Sequence, residues 1–223
     1  MVVAACVLIL IGIFVINKPK AGAPSNSNSN SGAKPSSHIE GQGKKDIKLV
    51  EYGDYQCPIC FAYYPIAKQV ATKYDNDIFF QFRNLPISQL HRNAVAGARA
   101  AEAASLQGKF WEMHDLLYEN QDPNGQSGWV ASSSALDNYF VGFAQQLGLN
   151  VDKFKQDFAS SAVNDTIDAD LTEFNKTGRE IGTPTFFLDG KFIEYSKITD
   201  STGRPDLTKF SKVIDDEIKS KNK

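Results

Sequence analysis

The most constraining feature of this chain is a pair of cysteines, Cys57 and Cys60, lying where one kind of periodicity gives way to another. Just upstream, Ile47-Lys-Leu-Val-Glu-Tyr is a short hydrophobic and β-branched run that predicts a buried strand, closed by Gly53 and Asp54. Just downstream, residues 61–74 carry apolar side chains at helical spacing. A strand must therefore turn into a helix within a few residues, and Cys57-Pro58-Ile59-Cys60 occupies the junction. Pro58 suits the first helical turn, where its missing N–H would have had no partner.

That position has chemical consequences. Cys57 falls at the helix N-terminus, where the macrodipole and free amide groups favour a thiolate, whereas Cys60 lies one turn in, more buried and less ionised. A disulfide exchanger needs such a pair: one reactive thiol, and a second close enough to attack the mixed disulfide. Two other readings stand beside it. A structural staple across two intervening residues would remove little chain entropy. A metal site would need more ligands, since the chain's three cysteines, Cys6 included, are too few for a four-cysteine zinc or iron–sulfur site. His91 and His114 are too widely spaced for a zinc finger and read as ordinary helix or boundary residues. No metal is expected.

The remaining pattern is mixed α/β. Ile78-Phe-Phe-Gln-Phe predicts a second strand, and from about residue 93 to 178 the pattern is helical. It comprises an Ala-rich stretch over 93–107, a helix over 110–119, a stripe of Leu136, Phe140, Phe143 and Leu147, a helix over 151–158, and a stripe of Ile167, Leu171 and Phe174. Thr185-Phe-Phe-Leu, Asp189-Gly190 and Lys191-Phe-Ile-Glu then read as strand, turn, strand. An amphipathic helix through Leu207, Phe210, Ile214 and Ile218 follows. With 223 residues, 22% charged and a net charge of −2, neither a disordered chain nor a polybasic nucleic-acid binder is expected.

The N-terminal part is of another kind. Residues 1–17 hold no charge and read as a transmembrane anchor or signal-anchor, although sixteen apolar residues reach only about 24 Å along a helix, short of a ~30 Å hydrocarbon core. Lys18 and Lys20, the first cations, follow the apolar run and by themselves would place the rest in the cytoplasm. The expectation of an extracytoplasmic domain on a single-pass anchor therefore rests on a longer, basic beginning upstream. Pro24 after Ala21-Gly22-Ala23 argues against signal-peptidase cleavage. Residues 18–44, rich in Ser and Asn, read as a flexible tether, with His38 as a solvated residue in it. The folded domain is expected over residues 45–223.

Val-Glu-Tyr-Gly-Asp-Tyr-Gln-Cys-Pro-Ile-Cys (residues 50–60) and Gly-Thr-Pro-Thr-Phe-Phe-Leu-Asp-Gly (182–190) resemble the DsbA-like thiol-disulfide oxidoreductases. His91-Arg-Asn-Ala and Gln107-Gly-Lys-Phe-Trp-Glu-Met-His-Asp-Leu-Leu resemble that family's helical subdomain. The resemblance implies an α/β, thioredoxin-like fold with a helical insertion over about 90–178. It makes Cys57 the nucleophile, Cys60 the resolving thiol, and Thr183-Pro184 the cis-proline site which, with Pro58 and Ile59, meets the substrate. Glu51, six residues before Cys57, matches a buried carboxylate that exchanges a proton with the resolving cysteine. Ile59 replaces the histidine of the best-known member, so one stabiliser of the thiolate is missing. The implied function is an extracytoplasmic enzyme that needs no cofactor and passes a Cys57–Cys60 disulfide to newly exported, cysteine-containing proteins. A quinone-linked membrane partner of DsbB or vitamin-K-epoxide-reductase type would re-oxidise it. A reductase or isomerase, and a non-catalytic polypeptide-binding module, are the alternatives.

Overall fold

The computed structural model describes residues 32–222, and the expected membrane segment at 1–17 lies outside them. Among the described residues no helix is long and apolar enough to cross a membrane. Strand β1 (His38–Glu40) leads to β2 (Ile47–Gly53), helix α1 (Pro58–Lys73) and β3 (Ile78–Asn84). Because α1 carries the chain back along the sheet, β2 and β3 pair in parallel, from Ile47 against Ile78 to Gly53 against Asn84. Strand β4 (Thr185–Leu188) pairs antiparallel with β2 on its other side, setting Glu51 opposite Phe186. A two-residue turn then adds β5 (Lys191–Phe192). Both turn residues, Asp189 and Gly190, have positive φ, as a type I′ hairpin turn requires. The sheet order is β1-β3-β2-β4-β5.

Alternation along β2 divides the core. Ile47 and Leu49 face one way with Val70 and Ala67 of α1, Phe186, and Phe210 and Ile214 of the C-terminal helix (Leu207–Lys221). Tyr52 faces the other way, edge-on to Phe174 and Phe187. Glu51 falls on the α1 side and is buried, so a carboxyl continues an apolar row.

Between β3 and β4 the chain is helical. Helices α2 (Ala94–Ser105) and α3 (Phe110–Glu119) pack closely because Ala100, Ala101, Ala103 and Ala104 are all buried. A short α4 (Gly128–Ala131) buries Trp129, whose indole N–H donates to Leu117 O at 3.0 Å. The stripe from Leu136 to Leu147 is a π-helical turn (Leu136–Phe140) continuing into α5 (Val141–Gln146). Helices α6 (Val151–Phe158) and α7 (Ser161–Asn175) start at Asn150 and Ser160, whose side chains accept from Lys153 N and Val163 N. The C-terminal helix, α8, is capped in the same way by Asp206.

The expectation of a tether up to residue 44 is corrected by the structure. Ser36 donates to Asp170 from both its N–H and its hydroxyl, each at 2.7 Å. His38, read from sequence as solvated, stacks on Phe110 with ring centroids 3.4 Å apart and meets Glu102 at 2.8 Å. Backbone N–H groups of Gln42, Lys44 and Lys45 donate to the carbonyls of Asp75, Asn76 and Asp77. The segment is polar because its partners are: it closes the free edge of β3 and satisfies carboxylates that would otherwise be buried alone.

Candidate active site

The site starts where β2 stops. Gly53 is required there, since a Cβ would lie 2.5 Å from the ring of Phe82. The chain then turns through Asp54, Tyr55 and Gln56, and the N–H of Cys57 donates to Asp54 O at 3.0 Å. Cys57 takes the N-cap position of α1 with extended backbone, and Pro58 opens the helix. No side chain caps α1, so its first amides are free for sulfur: the N–H groups of Ile59 and Cys60 both serve Cys57 Sγ.

Both cysteines are free thiols, unequal in setting. Cys57 retains 5% exposure and Cys60 none. The Cys57 thiol is pulled down to about 6, chiefly by a hydrogen bond from the Cys60 thiol, against the opposing effect of burial. Thr183 and the two amides add to this pull. Cys60 is pushed well above the ordinary thiol range by burial, then by its role as donor to Cys57 and by the charges of Cys57 and Glu51. Its Sγ accepts weakly from Asp54 N–H at 3.5 Å.

Thr183 and Pro184, expected at the site, are there. Their peptide bond is cis, and Cys57 Sγ lies 3.4 Å from Thr183 O. Tyr195 OH donates to Pro184 O. Pro58 is exposed and Ile59 is 55% exposed, at the mouth of the site. Leu90 and Ile181, exposed on the loops before α2 and before Thr183, add apolar surface.

Glu51 is buried, and its carboxyl is pushed up to about 8, mainly by burial and then by the charge of Cys57. It lines a small, partly open cavity of about 30 Å³ together with Glu40, Tyr64, Lys68, His114 and Asp115. That is room for one or two waters. His114 itself sits among Tyr55, Phe82, Trp111 and Tyr118, where burial pushes its imidazole down. His91 is elsewhere, on Asp54, so the two histidines share no site.

Three contributors were not singled out from sequence. Asp54 is buried and its carboxylate accepts from Gln56 N, Ile87 N and His91 Nδ1. Gln121 Nε2 donates to the carbonyls of Tyr55 and Cys57, holding the turn from the α3 side. His91, an ordinary helix or boundary residue by sequence, joins the turn through Asp54. The only sequence signal for Asp54 was its place between a buried strand and the cysteines.

A family profile described as "Thioredoxin" matches residues 33–216. The chain belongs to the thioredoxin family. Among solved structures, this family member is similar to BdbD from Bacillus subtilis, with a TM-score of 0.66 and 20% identity over 84% of this chain and 97% of that one. It is also similar to the thiol-disulfide exchange protein alpha-DsbA2 from Wolbachia pipientis, with a TM-score of 0.63 and 19% identity over 81% and 87%. These likenesses show a DsbA-type elaboration of the thioredoxin fold, helices included. A curated relative, Na(+)/H(+) antiporter NhaA 1 of Salinispora arenicola, is 36% identical over 156 residues. That match spans 69% of this chain but only 22% of the antiporter.

Proposed function

We propose that this thioredoxin-family protein is a thiol–disulfide oxidoreductase acting through Cys57 and Cys60. The observation that carries the reading is the inequality of the pair. One thiol at a helix N-terminus is drawn down to about 6, and its neighbour, fully buried, is driven up. A structural staple has no use for that difference. In the oxidising direction a substrate thiolate attacks Cys57 Sγ of the disulfide and Cys60 leaves, taking a proton, for which Glu51 is the nearby buried acid. The second substrate thiolate then attacks the substrate sulfur of the mixed disulfide. Cys57 departs as a thiolate, two electrons having entered the pair. In reverse, the Cys57 thiolate attacks a substrate disulfide, and Cys60 resolves the complex once its proton has passed to Glu51.

The oxidising direction is favoured. A leaving thiol near 6 lies between those of thioredoxin, about 7, and DsbA, about 3.5, so the potential is expected between about −270 mV and about −120 mV. In this reading the substrates are newly exported proteins and the domain is extracytoplasmic on its N-terminal anchor. The electrons leave to a quinone-linked membrane partner of DsbB or vitamin-K-epoxide-reductase type. The exposed Ile59, within the CxxC loop, suits unfolded chains. A reductase or isomerase shares every step but the poise. Equilibration with glutathione decides: a potential at or below thioredoxin's removes the oxidase, and failure to exchange removes the enzyme.

A further inference from the structure

A residue outside the CxxC loop completes the electrostatics of this site. The Asp54 carboxylate is wholly buried, and its residue touches both cysteines through the backbone, donating to Cys60 Sγ and accepting from Cys57 N–H. A buried negative group there opposes a thiolate on Cys57 unless something balances it. The group that meets it is His91, with Nδ1 at 2.7 Å from Oδ2. His91 is partly open to solvent, which lets it take up and release a proton.

The loop bearing His91 is held to the redox turn independently of that pair. Asn93 N–H donates to Gln56 Oε1 at 2.6 Å, and Gln56 Nε2 donates to Val130 O. Asn93 Nδ2 spans the carbonyls of Trp129, Val130 and Ser132. His91 is thus delivered to a fixed place, and its ring is not needed to hold the loop. The titratable groups that act on the ring are Asp54, from the β2–α1 turn, and Cys57, at the start of α1. Arg92, the neighbouring charge on its own loop, is exposed.

We infer that His91 is a positioning residue for the redox chemistry: protonated, it balances the buried Asp54 carboxylate and so favours the Cys57 thiolate, a task that a histidine within the CxxC loop would otherwise share. Ile59 then needs no polar replacement at its own position. The hydrogen bond to Asp54 raises the imidazole above its ordinary value, which favours a protonated ring at this place beside the redox turn. As pH rises through the His91 midpoint the balance is lost and the thiolate becomes less favoured. The inference rests on the proposed thiol–disulfide exchange. Reciprocity follows: if His91 favours the thiolate, the thiolate must favour protonated His91 by the same factor.

Two measurements test it. The first titrates the Cys57 thiolate by its ultraviolet absorbance in the reduced wild-type protein and in His91→Asn. Asparagine keeps an N–H donor for Asp54 and removes the charge. The expected result is a thiolate-to-thiol ratio at least about threefold lower in the variant at pH 6, a half-unit upward shift. An unchanged titration overturns the inference and leaves His91 a structural pin. The second needs no variant: the His91 ring is titrated by NMR in the reduced and the disulfide forms of the wild-type protein. Its midpoint should be higher in the reduced form by the same amount. Equal midpoints overturn the inference even if His91→Asn fails to fold. Exchange of the wild-type protein with glutathione separates the two levels, since it tests the oxidoreductase and does not depend on His91.

Discussion

Replacing Glu51 by glutamine should make the reduced protein more stable, and by an amount that grows with pH. The carboxyl has an ordinary value of 4.5 and stands near 8 in the fold, largely through burial. Between these values the native state holds a proton that the unfolded state has released, so stability falls as pH rises. The full loss is about 3.5 units at about 1.4 kcal/mol each, or on the order of 5 kcal/mol above pH 8. At pH 7 the loss is already about 3 kcal/mol, and near pH 4.5 it vanishes. Cys57 works in the opposite sense: lowered from 9.0 to about 6, it contributes stability at high pH that is lost as pH falls towards 6. That contribution is common to both proteins and cancels in their difference. Glutamine matches the shape of a neutral carboxyl, leaving the cavity unchanged. The assay is urea unfolding of both reduced proteins from pH 5 to 9. Curves that run parallel over that range would show that Glu51 ionises freely, and the assignment of a buried proton acceptor would be withdrawn.

Cys60→Ser should accumulate mixed disulfides with cysteine-containing polypeptides while Cys57→Ser accumulates almost none; gel analysis without reductant reads the result, and equal trapping contradicts the assigned roles. Iodoacetamide near neutral pH should alkylate Cys57 much faster than Cys60, which mass spectrometry of the digested protein would show. Ile59→His, at an exposed position beside the thiolate, should raise the reduction potential by tens of millivolts, where about 30 mV corresponds to about 1.4 kcal/mol; glutathione titration with no change would mean that this side chain does not act on Cys57. Gly53→Ala should cost about 1–3 kcal/mol in urea unfolding, because its Cβ would meet the ring of the fully buried Phe82.

Features carried by short-range pattern were legible in the sequence. The helices over Phe110–Glu119 and Val151–Phe158 coincide with apolar spacing, and the Asp189-Gly190 turn follows from two residues that tolerate positive φ. The strand–CxxC–helix order placed both cysteines because their chemistry depends on position within one turn. What escaped depends on partners distant in the chain. Strand β1 has no apolar alternation, and its neighbourhood is held by Glu102 and Asp170, 64 and 134 positions away. A polar segment bound to buried polar groups has the composition of a linker. His91 and Asp54 stand 37 positions apart, and nothing local to either marks the other. The helical stripe through Leu136 concealed a π-helical turn, since one extra residue in a turn barely disturbs an apolar count.

The sheet ends on both sides in very short strands, three residues in β1 and two in β5. Under the proposed function, unfolded chains would bring extended segments in search of a strand to pair with. A long bare edge would turn each encounter into a potential aggregate. Here β1 occupies the flank of β3, and the hairpin turn leaves β5 too brief to template an incoming strand. A client peptide is thereby denied lateral addition at either margin of the sheet. Under the proposed function the groups left for it to engage would be those around Cys57, so that short margins would serve selectivity as much as they guard against aggregation.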